Sequence, residues 1–461
     1  MNAAAEFLRQ SAEKSADLAH RKIITWNMSH YDAAVLRGKS RFLDWEAARE
    51  RCAEIKQEAV ENLDQLLIQF EEKILARGGH VFWAENSEEA REYITKLATE
   101  RGVKRVVKSK SMVTEEIHLT PALEKLGCDV LETDLGEYIV QLRNEPPYHI
   151  VTPAMHLTRA QIADLFREKL EGVTSDEPVE LVAAARRKLR AGFFAAEMGI
   201  SGANFLVADV GMVAISTNEG NGRLCTTIPK VHVVVTGIEK VIPRLHDLGV
   251  IWPVLATAGT GQPVTTYSTL IGGPKTPDEI DGPEEFHVVL VDNGRSDLLA
   301  DIEQRDALRC IRCGACLNAC PVYKNIGGHT YNTTYQGPIG SVLTPHFRGH
   351  EFDHLSYASS LCGNCTSVCP VKIDLHHHLL QNRRNSVQTH QRPWSERMAF
   401  KAWRWMMMSG NRFAGLAKLG KAAMNGVRAV GADPLKPWTA YRAAPEIPQK
   451  SFREMWRDGD V

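Results

Sequence analysis

Two cysteine-rich stretches, CIRCGACLNACPVY at 310–323 and LCGNCTSVCPVKI at 361–373, decide what this chain can be. The first has the spacing C-x2-C-x2-C-x3-C followed by proline, the run that ligates tetranuclear iron–sulfur clusters in bacterial ferredoxins. The second repeats that run without its first cysteine, whose place is taken by Ser359. Together they hold seven of the ten cysteines: Cys310, Cys313, Cys316, Cys320, Cys362, Cys365 and Cys369.

The spacing also predicts how the thiolates divide between two clusters. The first three cysteines of such a run lie on one tight loop, and the fourth ligates the other cluster. Crossing the two runs gives Cys310, Cys313, Cys316 and Cys369 for cluster 1, and Cys320, Cys362 and Cys365 for cluster 2. The fourth ligand of cluster 2 stays open between the Ser359 oxygen, an external ligand and an unligated iron, and the last would also allow a three-iron form.

Zinc is the main alternative metal, because zinc sites also use C-x2-C pairs. A zinc site needs two such pairs, whereas the first run offers a triplet and a displaced Cys-Pro. A redox-active dithiol is a further alternative, but it uses only two cysteines, whereas the two runs hold seven. We therefore predict two [4Fe-4S] clusters. The remaining Cys52, Cys128 and Cys225 are expected to be core residues.

The composition is that of an ordinary globular protein. The chain has 461 residues and a net charge of −1, which gives no reason to expect nucleic acid as a partner. Its charged N-terminus lacks the apolar run of a secretory signal. No stretch of about 18 apolar residues is uninterrupted, so no transmembrane segment is expected. We predict a cytoplasmic location, where thiols stay reduced.

Hydrophobic patterning predicts four regions along the chain. They are an N-terminal helical segment 1–76, an α/β domain 77–296, a two-cluster helical ferredoxin module 297–385, and a helical C-terminal extension and tail 386–461. Residues 45–74 carry apolar residues at helical spacing and predict one long amphipathic helix. Further on, β-rich runs alternate with helical stretches such as 87–100 and 114–126, which predicts a mainly parallel sheet. The β-rich runs are 80–84, 103–109, 128–134, 149–154, 203–217, 230–237 and 286–292.

Polar side chains follow several of the predicted strands, at the sheet edge where open α/β sheets bind ligands. They are Lys108, Lys110, Glu132, Asp134, Asn218, Glu219, Asn221, Asp292, Asn293 and Arg295. Each could be an ordinary turn residue. As a set they suggest a pocket for a small anion or nucleotide, with a helix beginning near Thr114 offering backbone N–H groups. No nucleophile–base pair stands out, so catalytic residues are left unassigned.

The long segment between the two cysteine runs is rich in glycine and hydroxyl side chains: IGGHTYNTTYQGPIGS at 326–341. We hypothesise that its backbone N–H groups hydrogen-bond to cluster sulfurs and raise the reduction potential. The wide spacing of the runs, with predicted helical flanks at 301–308 and 354–361, resembles the helical ferredoxin module of succinate dehydrogenase iron–sulfur subunits.

Over nearly its whole length the chain closely resembles the lactate utilisation protein B family. A second run with three cysteines is usual in that family, so Ser359 is not a departure from it. The resemblance is carried by KSKSMVTEEIHL at 108–119, ETDLGEYIVQL at 132–142, STNEGNGRL at 216–224 and the two cysteine stretches.

The resemblance implies two tetranuclear clusters and a role in oxidising L-lactate to pyruvate. It implies two partner proteins, a second cysteine-rich iron–sulfur-type subunit and a small lactate-utilisation-domain subunit. It also implies a central domain with a fold similar to ribose-5-phosphate isomerases and CoA transferases. The leading interpretation is an electron-transfer subunit. The alternatives are a catalytic subunit, binding lactate at an incompletely ligated cluster or in the central pocket, and a regulatory protein whose clusters sense oxidation.

Overall fold

The structure, a computed structural model, describes residues 2–389, 393–429, 436–439, 443 and 448–460. The chain divides into two compact units, Met1–Asn385 and Ser386–Val461. The first unit contains the N-terminal helices, both β-sheets and all seven clustered cysteines. Among the described residues, no helix has the length and apolar character needed to cross a membrane.

Four helices precede the first strand: α1 Ala3–Ala16, α2 Leu18–Lys39, α3 Trp45–Glu61 and α4 Leu63–Ala76. The prediction of a single helix over 45–74 is wrong, because the chain breaks at Asn62. The Asn62 side chain donates to the Glu58 carbonyl oxygen at 2.9 Å. Asn side chains compete with the helical backbone in this way and favour helix ends.

Ten strands lie within the described residues: β1 His80–Ala84, β2 Arg105–Lys108, β3 Asp129–Glu132, β4 Met198–Ser201, β5 Phe205–Val207, β6 Met212–Thr217, β7 Val231–Gly237, β8 Val241–Ile242, β9 Tyr267–Ile271 and β10 Glu285–Val291. Six of them form one sheet in the order β1-β10-β7-β4-β2-β3, and every neighbouring pair is parallel. The predicted α/β domain with a parallel sheet is therefore confirmed.

A second, four-stranded sheet was not predicted. Its order is β8-β5-β6-β9, and β6 runs antiparallel to both of its neighbours. The predicted single run 203–217 is a hairpin of β5 and β6 that turns at Gly211, where φ is +57°. A Cβ at Gly211 would lie 2.1 Å from the Lys73 Cβ, so the turn needs glycine for space as well as for conformation.

The remaining elements of the first unit are helices between and after the strands. Two predictions fail here: the helix over 114–126 breaks at His118, where φ is +51°, and 149–154 forms a turn in which the Tyr148 N–H donates to the Pro153 oxygen at 2.9 Å. The α-helices are α5 Ser87–Glu100, α6 Met112–Glu116, α7 Leu119–Lys125, α8 Leu135–Arg143, α9 Arg159–Lys169, α10 Pro178–Ala195, α11 Asn221–Thr227, α12 Leu248–Thr260, α13 Arg295–Ala300, α14 Ala315–Ala319, α15 Pro321–Ile326, α16 Gly337–Arg348, α17 Asn364–Val368 and α18 Leu375–Gln388. The 3-10 helices are Ile238–Lys240, Leu245–Asp247, Arg305–Arg309, His329–Tyr331 and His350–Tyr357.

One apolar core joins the cysteine stretches to the rest of the unit. It contains Ile24 from α2, Ile55 from α3 and Val254 from α12, together with six of the seven clustered cysteines. Burying this much apolar surface is the main favourable term in folding. The cysteine segment therefore shares its core with the N-terminal helices and the α/β domain.

The second unit is helical where it is described: α19 Trp394–Met407, α20 Gly410–Ala429, α21 Lys436–Thr439 and α22 Phe452–Asp458. No residue of α19 is buried, although the helix carries three tryptophans: Trp394, Trp403 and Trp405. Most of the predicted tail between α20 and α22 lies outside the described residues.

Candidate metal centre

The two cysteine runs have the same local backbone. The residue before Cys313 and the residue before Cys362 are both left-handed, with φ of +59° at Arg312 and +55° at Leu361. The glycine that follows each of these cysteines is also left-handed, with φ of +79° at Gly314 and +76° at Gly363. Glycine adopts this conformation without steric cost. Each run thus turns tightly into a short helix, α14 or α17.

The last cysteine of each run leaves its helix in the same way. Cys320 and Cys369 have extended backbones, and the N–H of each donates to the carbonyl oxygen three residues earlier at 3.2 Å. The following Pro321 and Pro370 disfavour helical geometry in the residue before them. Both thiols are therefore displaced from the loop that carries the other cysteines of their run.

The thiols fall into two groups by their effects on one another. Burial raises the pKa of Cys316, and the nearby thiols of Cys310, Cys313 and Cys369 raise it further. Burial raises the pKa of Cys365 to about 11, with added effects from Cys320 and Cys362. Because such charge effects require proximity, the structure brings together the two sets that crossing the runs predicts. Their roles as ligands stay a prediction.

The environment of these thiols suits a bound metal cluster. All are buried except Cys362, which is exposed. A buried thiol stays protonated unless a cation compensates the thiolate charge, as a bound metal does. Backbone N–H groups point at the sulfurs, from Arg312 to Cys310 at 3.4 Å, from Tyr323 to Cys320 at 3.5 Å and from Ile373 to Cys369 at 3.4 Å. Such hydrogen bonds are a means of tuning cluster potentials.

The segment 326–341 contributes one backbone N–H near its C-terminal end. The N–H of Ile339 hydrogen-bonds to the Cys316 sulfur and opposes the rise in the pKa of that thiol. The two glycines at the start of the segment instead face Tyr148, where a Cβ on Gly327 would lie 1.9 Å from the phenol oxygen. Enlarging either glycine would therefore displace Tyr148 before it affected any sulfur.

The N-terminal helix α3 holds the second run in place, which the sequence did not indicate. Arg49 donates to the Cys369 carbonyl oxygen through Nε at 3.2 Å and Nη2 at 2.7 Å. One turn further along α3, Cys52 is fully buried, and the thiol of Cys369 contributes to the rise of its pKa to about 12, which is caused mainly by burial. Cys52 is thus a core residue that lies beside the first set of thiols.

A buried ion network ties the first cysteine run to the parallel sheet. The Glu239 carboxylate, just after β7, accepts from Arg295 Nε at 2.6 Å and from Arg312 Nη2 at 3.2 Å. Arg295 also pairs with both oxygens of Glu116 at 2.9 and 2.8 Å. The two arginines hold the pKa of Glu239 down at about 2 despite the opposing effect of its burial.

A cavity of about 630 Å³ opens at the carboxyl edge of the parallel sheet, next to the first cysteine run. Five of the ten polar residues predicted for a pocket line it: Lys110, Asp134, Asn218, Glu219 and Asn221. Lys240, Arg312 and Cys313 also line it, and pattern analysis assigned none of them to a pocket. Cys313 is the only clustered cysteine in its wall, so the cavity is distinct from the space between the four thiols of the first set.

The other five predicted residues lie elsewhere. Lys108 and Glu132 form a buried pair at 2.7 Å outside the cavity lining, and Arg295 lies in the Glu239 network with Asp292 and Asn293 beside it. The Thr114 N–H, one of the groups expected to meet an anion, is not free, because the Ser111 side chain accepts from it. The anion pocket that the sequence predicts is therefore limited to the five predicted residues that line the cavity.

Comparison with known proteins identifies the family. Lactate utilization protein B of Bacillus thuringiensis is 47% identical over 426 residues, covering 90% of this chain and 89% of that protein. Proteins of the same description from Bacillus cereus and Bacillus anthracis match equally well. The chain belongs to the lactate utilisation protein B family. Its segments match the LUD domain at 67–291, the 4Fe-4S dicluster domain at 306–373 and the C-terminal family of lactate utilisation protein B at 376–461.

These matches show that the cysteine-bearing segment is of the iron–sulfur type. They also show that residues of two matched segments line the cavity. Lys110, Glu219 and Lys240 belong to the LUD domain, and Arg312 and Cys313 belong to the dicluster segment. A solved structure, a DUF162 family protein from Deinococcus radiodurans, covers 50% of this chain and 98% of its own. Its sequence identity to this chain is 15%, and the TM-score is 0.29. The likeness of the central domain to ribose-5-phosphate isomerases and CoA transferases stays a prediction.

Proposed function

We propose that this chain is the iron–sulfur electron-transfer subunit of a multiprotein system that oxidises L-lactate to pyruvate. The observation that carries the proposal is the grouping of thiols from two distant runs into the two sets that a dicluster ferredoxin requires. Two bound [4Fe-4S] clusters would supply single-electron transfer. The names of the related proteins supply the connection to lactate.

In this proposal the first set of thiols holds one cluster and the second set holds the other. The exposed Cys362 places the second set nearer the protein surface than the buried first set. The partners would be the two other lactate-utilisation subunits, in the cytoplasm. The exposed aromatic side chains of α19 support a partner, because tryptophan and arginine are enriched at protein interfaces.

Replacing one cysteine of each set tests the ligand assignment. Cys316→Ala is expected to lose cluster 1 and Cys365→Ala to lose cluster 2, because a cubane deprived of one thiolate binds its protein weakly. Iron and sulfide analysis with electron paramagnetic resonance of anaerobically purified protein measures both losses. Cys128→Ala is the matched control, since Cys128 is buried outside both sets. Zinc in place of iron, or equal iron in all three variants, would contradict the proposal.

A second function, binding of the substrate, is supported by basic side chains in the cavity wall that have unused hydrogen-bond donors. Lys240 is only 6% exposed, and it lines the cavity. Burial lowers its pKa to about 7, and Arg312 adds to that effect. The Nε and Nη1 of Arg312 are buried without a partner. Buried N–H donors without acceptors are costly, so a small carboxylate is a ligand that these groups fit.

Removing Lys240 should weaken carboxylate binding. Lys240→Met is expected to lower the affinity of the cluster-loaded protein for L-lactate by about ten- to hundredfold, since one charged hydrogen bond contributes about 1.5–3 kcal/mol. Isothermal titration calorimetry with L-lactate and with pyruvate measures this. Lys230→Met, at an exposed lysine, is the control. Iron content is measured alongside because Lys240 lies close enough to Cys310 to feel its charge. Equal affinities would rule out this site.

A further inference from the structure

The side chain of Ser359 stands in the second run where Cys310 stands in the first. Each is followed two positions later by a left-handed residue, Arg312 or Leu361. The Arg312 N–H donates to the Cys310 sulfur at 3.4 Å, and the Leu361 N–H donates to the Ser359 hydroxyl oxygen at 3.1 Å. The same backbone turn thus presents a sulfur in one run and an oxygen in the other.

The segment that carries Ser359 is held in place from α18. Arg383 donates through Nε to the Ser356 carbonyl oxygen at 3.0 Å and through Nη2 to the Ser359 carbonyl oxygen at 3.1 Å. The guanidinium has a rigid fork of donors, so two bonds to successive turns fix the position of the backbone. Ser359 is therefore held in its place before the second run by groups outside that run.

The neighbouring Ser360 has a different contact. Its exposed side chain hydrogen-bonds to the Cys362 sulfur and contributes to lowering the pKa of that thiol. Only Ser359 has the backbone relation that Cys310 has. Ser359 is therefore the ligand candidate, and Ser360 is a matched neighbour that contacts the same set of thiols.

We propose that the hydroxyl oxygen of Ser359 is the fourth ligand of cluster 2, beside Cys320, Cys362 and Cys365. Ligation would form one iron–oxygen bond, and the hydroxyl proton would leave to solvent. Iron accepts oxygen as well as sulfur donors. In some other iron–sulfur proteins, ligands of a different kind take the place of cysteine thiolates. This inference rests on the proposed two-cluster ligand set and closes the corner that the cysteines of the second set leave open.

Three variants of the full chain, loaded with clusters under anaerobic conditions, test the assignment. Ser359→Ala is expected to lose about one iron per chain and to show the paramagnetic resonance signal of a three-iron cluster after mild oxidation. Ser359→Cys is expected to keep its iron and to change the spectrum of cluster 2. Ser360→Ala is expected to keep both the iron content and the four-iron signal.

The signal of cluster 1 serves as the internal control, because its retention shows that a variant has folded. Wild-type iron content and an unchanged cluster 2 spectrum in Ser359→Ala would overturn the assignment in favour of an open or externally ligated iron. Loss of iron in Ser360→Ala equal to that in Ser359→Ala would also overturn it. A wild-type chain without a second cluster would overturn the proposed ligand set together with this inference.

Discussion

Replacing Glu239 by alanine is expected to destabilise the protein by about 3–5 kcal/mol, the range found when one partner of a buried ion pair is removed. Glu239 is 1% exposed and binds Arg295 and Arg312. Arg295 would keep its two bonds to Glu116. Arg312 would lose its only carboxylate partner among the described residues and remain buried against the ring of Tyr335.

The effect should reach the clusters, because Arg312 lies inside the first cysteine run and adopts a left-handed backbone. The expected observations are a lower urea midpoint and faster loss of the iron–sulfur absorbance. Glu58→Ala is the matched control, since its pair with Arg244 is partly exposed and is expected to contribute about 0–1 kcal/mol. Equal midpoints for the two variants would show that the network contributes nothing to stability.

The pH dependence of this pair follows from the sign of its shift. The folded pKa of Glu239, about 2, lies below the usual value of a glutamate, so the unfolded chain binds the proton more tightly. The contribution of the pair is therefore fully present above the unfolded pKa and is lost as pH falls through the folded one. Stability at neutral pH should not depend on its titration.

The chemistry of the cysteine runs was readable from sequence because their information is local. The spacing of thiols along a few residues fixes which can reach one metal cluster, and Pro321 and Pro370 act on the residue directly before them. The parallel sheet was predictable for a similar reason, since β-rich and helical runs alternate. The second sheet was missed because its strands are short and its hairpin depends on the single residue Gly211.

The ion networks and the cationic end of the cavity were not predictable, because they depend on pairs far apart in the chain. Arg295 and Glu116 are 179 positions apart, and Arg312 and Glu239 are 73 apart. In the sequence Arg312 reads as a spacer between two cysteines. Lys240 lies in a short 3-10 helix, and no apolar pattern in the sequence there indicates that it is buried. The sequence offered one signal for each residue: Arg312 lies within the first cysteine run, and Lys240 closely follows the predicted strand 230–237.

The ion cluster around Lys108 shows how far such a network can depart from what the sequence predicts. Lys108, expected to bind an anion, is fully buried and donates to Glu115 at 2.8 Å and to Glu132 at 2.7 Å. Glu137 is buried next to this pair, and its side chain hydrogen-bonds to the Glu132 carboxylate. Burial and the charge of Glu132 raise the pKa of Glu137 well above its usual range.

Replacing Lys108 by methionine is therefore expected to cost about 3–5 kcal/mol at neutral pH, since it leaves two acidic groups buried without a cation. Both carboxyls would have folded pKa values above those of the unfolded chain. The unfolded chain then releases protons first as pH rises, so stability falls with increasing pH. The deficit should be smaller at about pH 5 than at about pH 8.

Urea unfolding of Lys108→Met at the two pH values measures both the deficit and its direction. Lys104→Met, four residues earlier and exposed, removes the same charge without uncovering a buried carboxyl. The control is expected to unfold within about 0.5 kcal/mol of the wild type at either pH. A deficit in Lys108→Met that grew as the pH fell would mean that Glu132 and Glu137 are ionised in the folded variant, and the buried cation would then have a role other than compensating them.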